Sequence, residues 1–203
     1  MPAARPKVRD YCRRDMQATA ALLYESAGGM YDRYAGSRQL AERTLVRALA
    51  REDTTASAGV VRLAESDGRV AGAMAAMPFD EWTPRAHAFL AVTLRSIPPW
   101  RWPAALCLYR ASGRTAPEPP AATLYVDSLA TARPFRRRGV ARALLDDAER
   151  QAYEHGLCAV ALDTWVDNGS ARALYESAGF TEVAHTPAAG GLPGGVSLLK
   201  ELS

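Results

Sequence analysis

Arg136-Arg137-Arg138-Gly139-Val140-Ala141-Arg142 stands between two segments of different period. Before it, Leu124-Tyr125-Val126-Asp127-Ser128-Leu129-Ala130-Thr131 reads as a strand. After it, Ala141, Leu144, Leu145, Ala148 and Ala152 recur at helical spacing until Gly156. The basic stretch is therefore read as a strand-to-helix turn. At a helix N-terminus the first N–H groups lack intrahelical acceptors, and the dipole favours an anion. Gly139 and Ala141 are small enough for a phosphate to approach the backbone. Arg136, Arg137 and Arg138 add charge, and Arg142 begins the next turn. The turn suits a diphosphate. A solvated basic loop explains three arginines equally well on their own. The turn is no Walker loop, which needs Gly-Lys-Ser/Thr, and it lacks the interleaved aromatics of a nucleic-acid surface.

Working outward, residues 158–165 form a near-continuous apolar strand, as expected when both faces are covered. Residues 170–178 read as a helix. Residues 180–185 and 196–199 read as final strands joined by a Gly/Pro-rich loop. A strand–helix–strand–helix order with a right-handed crossover gives an α/β sheet with a parallel centre. Asp146 and Arg150 are expected to pair across one helical turn. Toward the N-terminus, residues 7–9 are a candidate strand. Met16, Ala20, Leu23 and Ala27 have helical spacing that stops at Gly28-Gly29. Ser37 is placed to cap a helix carrying Leu40, Thr44, Leu45, Ala48 and Leu49. Residues 59–64 and 70–77 make a hairpin about Asp67-Gly68.

Residues 80–121 differ in composition. They hold three of the four tryptophans, Trp82, Trp100 and Trp102, and seven prolines. Helices over 85–96 and 102–111 fit, followed by an exposed Pro-rich linker over 112–120. The segment is read as an insert before the fourth strand of one domain, 1–203.

The bulk numbers set bounds. Across 203 residues, 48% are apolar and 23% charged, ordinary for a globular chain. Twenty-five basic against 22 acidic residues is too slight an excess to point to nucleic acid. Cys12, Cys107 and Cys158 form no CxxC pair, so no zinc ribbon or dithiol site is expected. No signal-like or membrane-length apolar run is present, and the expected location is cytoplasmic.

A second constellation follows the turn: Asn168-x-x-Ala171-x-x-Leu174-Tyr175-x-x-x-Gly179-Phe180. Asn168, Ala171 and Tyr175 share a helix face at spacings of three and four. Taken alone, Asn168 reads equally as an N-cap and Tyr175 as a packed aromatic. Leu23-Tyr24-Glu25-Ser26-Ala27-Gly28 repeats Leu174-Tyr175-Glu176-Ser177-Ala178-Gly179 residue for residue, but no period continues it, so the match is chance plus shared capping by glycine.

Taken together, Arg136-x-x-Gly139-x-Ala141 and the Asn168–Tyr175 pattern resemble the GNAT superfamily of acyl-CoA N-acyltransferases. The likeness is close over the last ~80 residues and rests on layout over the first. It implies a mixed, mostly antiparallel sheet with a parallel central pair splayed to hold CoA and helices on both faces. It implies acetyl-CoA as acyl donor, with Arg136, Arg137, Arg138, Gly139, Val140, Ala141 and Arg142 at the pyrophosphate. Pantetheine would lie against Leu129, Ala130 and Thr131, with Asn168, Ala171 and Tyr175 beside it. The Leu129 N–H would stabilise the oxyanion and Tyr175 would protonate the leaving thiolate.

Alternation places Tyr125, Asp127 and Leu129 on one strand face. Asp127 is the candidate base for the amine; its other reading is an acceptor that fixes loop backbone or a substrate cation. Glu81 and His87 are weaker candidates, and His155 and His185 read as structural. Tyr125, Asp127 and Trp82 are candidate substrate contacts. Trp82, Trp100 and Trp102 are placed either to wall the acceptor site or to close the core or a dimer contact. The expected reaction is direct attack of a small-molecule or peptide amine on acetyl-CoA, with no metal and no covalent enzyme intermediate. A non-catalytic acyl-CoA-binding sensor is the alternative, and a homodimer is a further expectation of the resemblance.

Overall fold

The structure, a computed structural model, describes residues 5–112, 118–188 and 193–202. Seven strands form one sheet: β1 (Lys7–Asp10), β2 (Val61–Ser66), β3 (Arg69–Pro78), β4 (Thr123–Thr131), β5 (Ala159–Trp165), β6 (Thr181–Thr186) and β7 (Gly195–Glu201). Their order is β1-β2-β3-β4-β5-β7-β6. Neighbours run antiparallel except the central β4–β5 pair, which is parallel. The helices are α1 (Met16–Ser26), α2 (Met30–Ala35), α3 (Arg38–Leu49), α4 (Phe79–Ser96), α5 (Trp102–Ser112), α6 (Val140–Glu154) and α7 (Gly169–Ser177). This is the mixed sheet with a parallel centre that the strand–helix alternation and the resemblance led one to expect.

Both faces of the sheet are covered. On one, Leu144, Leu145, Ala148 and Ala152 of α6 pack on Met74, Leu124, Val126, Val160 and Leu162. On the other, Leu23 of α1 and Leu45, Ala48 and Leu49 of α3 pack on Leu63, Ala73, Ala75 and Ala130. Each buried leucine contributes roughly 1.5–3 kcal/mol. The small residues of β3 let helices approach closely from both sides. Ser37 caps α3 as expected, accepting from the Leu40 N–H at 3.3 Å.

The central pair is paired over only part of its length. Thr123–Val126 registers with Ala159–Leu162, and there the ladder ends. Beyond it β4 continues to Thr131 on β3, and β5 continues to Trp165 on β7. A bulge falls at the same place: Ala76 pairs with Val126 and Ala75 with Ser128, so Asp127 is the extra residue.

Several expectations need correction. The bulge breaks the alternation that put Tyr125, Asp127 and Leu129 on one face. Leu129 instead packs toward the α6 core with Val126, while Ala130 joins the opposite core. Asp146 and Arg150 do not pair: Arg142 bonds Asp146 at 2.8 Å, and Arg150 turns to Asp147 and Glu154. The helix expected over 85–96 begins six residues earlier, at Phe79, and carries Pro84 inside it. Helix α2, between the left-handed Gly29 and Gly36, was not foreseen. Of the linker expected over 112–120, residues 113–117 lie outside the described residues, as do 189–192 of the Gly/Pro-rich loop. Cys12, Cys107 and Cys158 are exposed free thiols. Among the described residues no helix is long and apolar enough to cross a membrane.

Candidate active site

Where β4 and β5 part, a cavity of about 670 Å³ opens. Its lining joins Asp127 and Leu129 of β4 to Asn168, Ala171 and Tyr175 at α7, with Tyr125 and Trp82 alongside. Residues far apart in sequence are thus brought to one space by the interrupted ladder.

Asp127 faces α4. Trp82 Nε1 donates to its Oδ1 at 2.9 Å, and the Ser128 hydroxyl donates to Oδ2 at 3.3 Å. Burial pushes the Asp127 carboxyl above the ordinary carboxylate range; the two hydrogen bonds pull it down and Asp163 pushes it further up. Phe79, Trp82 and Tyr125 pack ring against ring, with centroids 5.8–6.4 Å apart.

The strand edge next to Asp127 is open. Ala132 N–H bonds the Ala71 carbonyl of β3 at 2.9 Å. Backbone groups alternate in direction along a strand, so Ala130 also points to β3, while Leu129 and Thr131 point to the β5 side. No β5 residue pairs with them there. Leu129 therefore presents its N–H to the gap. Thr131 Oγ1 is buried without a hydrogen-bond partner among the described groups. The free edge fits an extended polar ligand lying along β4.

Tyr175 is buried and packs on Phe180, with centroids 6.0 Å apart. Burial raises its phenol to about 12. Asn168 is the N-cap of α7: its Oδ1 accepts from the Ala171 N–H at 3.3 Å and its Nδ2 donates to Thr164 Oγ1 at 3.2 Å. It also lines the cavity, so the capping reading holds and its outer surface faces the same space.

The arginine turn lies outside the large cavity, as do Ala130 and Thr131. Thr131 and Arg136 instead line a smaller hollow of about 340 Å³ against α1. Gly139 is the N-cap of α6, with φ +77°, and Arg137 has φ +60°. The first intrahelical bond runs from Ala143 N–H to the Gly139 carbonyl, which leaves the amides of Val140, Ala141 and Arg142 without helical acceptors. Arg136, Arg137, Arg138 and Arg142 are exposed. Arg136 Nε reaches the Thr131 carbonyl at 3.4 Å, Arg138 reaches Asp67 at 3.4 Å, and Arg142 bonds Asp146 and the Ser177 carbonyl.

Of the other candidates, Glu81 is exposed and paired with Arg85, and His87 packs on Tyr109. His155 and His185 are exposed, His185 beside Glu182 at 3.2 Å. Trp100 and Trp102 are exposed and do not line the cavity; Trp102 Nε1 bonds the Leu94 carbonyl. Of the insert, Trp82 and Phe89 of α4 and Leu108 of α5 line the cavity, with Phe79 just ahead of it. Sequence reasoning missed Asp163, which accepts from the Tyr125 hydroxyl at 2.7 Å and the Ser197 hydroxyl at 2.5 Å. The signal was there: one acid within an otherwise apolar strand.

The sequence profile of the Acetyltransferase (GNAT) family matches residues 24–180. Among solved structures, an N-acetyltransferase from Staphylococcus aureus Mu50 superposes with a TM-score of 0.75 at 15% identity, covering 96% of this chain and 100% of its own. A structure described as an acetyltransferase gives 0.71 at 21% identity, over 97% and 100%. A ribosomal-protein-alanine N-acetyltransferase from Brucella melitensis gives 0.58 at 17%, over 97% and 99%. At these identities the likeness speaks for the fold. A search of curated proteins finds no match. With the profile spanning well over half of its length, the chain belongs to the GNAT acetyltransferase family.

Proposed function

We propose that the protein transfers an acetyl group from acetyl-CoA to a primary amine by direct attack, with both substrates bound together. One observation carries this reading: the β4–β5 ladder ends at Val126–Leu162, and the gap puts the Leu129 edge, Asp127 and Tyr175 on one cavity. Acetyl-CoA supplies the acyl group as an activated thioester. The open edge of Leu129 and Thr131 would hold the pantetheine arm, with Asn168 and Ala171 across from it. The amides at the start of α6, with Arg136, Arg137, Arg138 and Arg142 around them, would take the pyrophosphate.

The chain's own groups divide the chemistry. An alkyl amine has a pKa near ~10.4 and arrives protonated. Asp127, directly or through water, removes that proton. The Leu129 N–H donates to the developing oxyanion, worth a few kcal/mol. Tyr175, protonated at neutral pH and more firmly so through burial, gives its proton to the departing sulfur and regains one, through water, from the nitrogen as the intermediate collapses to the amide.

Thiol release over a panel of amines tests this. Tyr175→Phe should lower kcat about 100-fold while acetyl-CoA binding is kept. Undiminished turnover by the variant would remove Tyr175 from the reaction. A wild type that binds acetyl-CoA yet releases no thiol with any amine would favour a non-catalytic sensor.

A further inference from the structure

The cavity carries more recognition chemistry than the transfer step uses. Asp163 is exposed to it from β5. Tyr125 links the two carboxylates: its hydroxyl bonds Asp163, while its ring packs edge-on against Trp82, the donor to Asp127. Among the described lining residues the acids are Asp127, Asp163 and Glu118, and the one base is Arg110, itself exposed to solvent. The remaining wall is rich in rings: Phe79, Trp82 and Tyr125 form one cluster, and Tyr31 packs against Phe89 at 6.3 Å.

Resting on the acetyl-transfer reading of this cavity, we propose that the acceptor is a compact monoamine with a ring-sized apolar body and no carboxylate, an arylalkylamine in chemical class. The ammonium group is drawn by Asp127 and Asp163 and by the faces of the surrounding rings. An α-amino acid of the same size would bring its own carboxylate beside two others, a like-charge placement that disfavours it. A short diamine has no apolar body to cover the rings of the wall, so it gains little from burial there. A peptide would bury backbone amides against the same wall with few partners.

The test compares kcat/KM for 2-phenylethylamine, phenylalanine, putrescine and an alanine-led tetrapeptide, with acetyl-CoA affinity measured beside it. Phenylethylamine should exceed putrescine about tenfold and phenylalanine about a hundredfold. Asp163→Asn, which keeps one acceptor oxygen for Tyr125 or Ser197, should raise the phenylethylamine KM about tenfold with kcat and acetyl-CoA affinity near wild type. An unchanged KM in that variant would remove Asp163 from acceptor binding. Acetyl-CoA binding with another compound turned over best, or with phenylethylamine not turned over, overturns the acceptor class and leaves the cofactor site standing. Absence of acetyl-CoA binding to the folded wild type overturns both.

Discussion

Asp127 occupies the position where β4 has one residue more than β3 opposite it. The bulge turns its side chain to Trp82 without disturbing Val126 in the α6 core. Burial raises its pKa, and the sign of that shift has two consequences. A base must be unprotonated to act, so a raised pKa moves the acid limb of kcat/KM upward from the ordinary carboxylate range. Asp127→Asn should remove that limb and lower kcat at least about 100-fold. The second consequence concerns folding. A carboxyl whose folded pKa is raised stabilises the fold fully below its unfolded pKa, and that contribution is lost as pH rises through the folded pKa. At neutral pH the charge is therefore a net cost, and Asp127→Asn, which can still accept from Trp82, should melt higher than wild type. A lower melting temperature would contradict that account.

The same scale shows what a sequence reveals. Tyr175 reaches the cavity as the spacing along its helix led one to expect, whereas Asp127 reaches it through the bulge and not through strand alternation. Asp163 was passed over because residues 158–165 read as a strand covered on both faces, and only the end of the β4–β5 ladder exposes one side of it. The repeated Leu-Tyr-Glu-Ser-Ala-Gly segment is instructive. Both copies close helices at glycines with positive φ. Yet Tyr24 donates to Asp32 at 2.7 Å, whereas Tyr175 lines the cavity. Identical local sequence serves different ends because the surrounding elements differ.

At the scale of elements, the site depends on how α6 seats against β3. Gly72 is the contact. A Cβ there would lie 2.6 Å from Val140 Cγ1, 2.9 Å from the Ala130 carbonyl oxygen and 3.1 Å from Leu144 Cδ1. The carbonyl cannot swing away, and Val140 is the first residue of α6. Gly72→Ala should therefore cost about 1–3 kcal/mol in urea unfolding and weaken acetyl-CoA binding by displacing the start of α6. Wild-type stability in this variant would show that α6 does not seat as described.

Element identity was largely readable, since α6 and α7 carry a helical period and β5 is a near-continuous apolar run. Boundaries were less so. Helix α4 starts ahead of the expected residue 85, where Asp80 and Glu81 in its first turn match the positive end of the helix dipole, and Pro84 falls inside it. The bulge left no mark in the sequence, because its cause lies in the register with β3.

Across the whole molecule, one buried carboxylate ties the site's helix to the outer strands. Asp147 of α6 accepts from Arg62 of β2 at 3.0 Å and from Gln151 at 2.9 Å, and it also meets Arg150. Arg62 in turn reaches Asp10 on β1. Asp147→Ala would leave the largely buried Arg62 guanidinium with only the exposed Asp10, and should cost about 1.5–3 kcal/mol in urea unfolding. A loss no larger than experimental error would show the network to be incidental. Such long-range pairing is invisible to a reading by spacing, since Arg62 and Asp147 are 85 residues apart.

The central claim is that the open β4 edge and the start of α6 form one acetyl-CoA site. Calorimetric titration of acetyl-CoA into wild type and Gly139→Asp tests it most directly. Gly139 has room for a side chain, so the variant's effect arises from a carboxylate placed at the proposed phosphate site and from strain at φ +77°. Saturable binding to the wild type that is lost in the folded variant is the predicted result. No binding to the folded wild type, or equal binding to both, would contradict it.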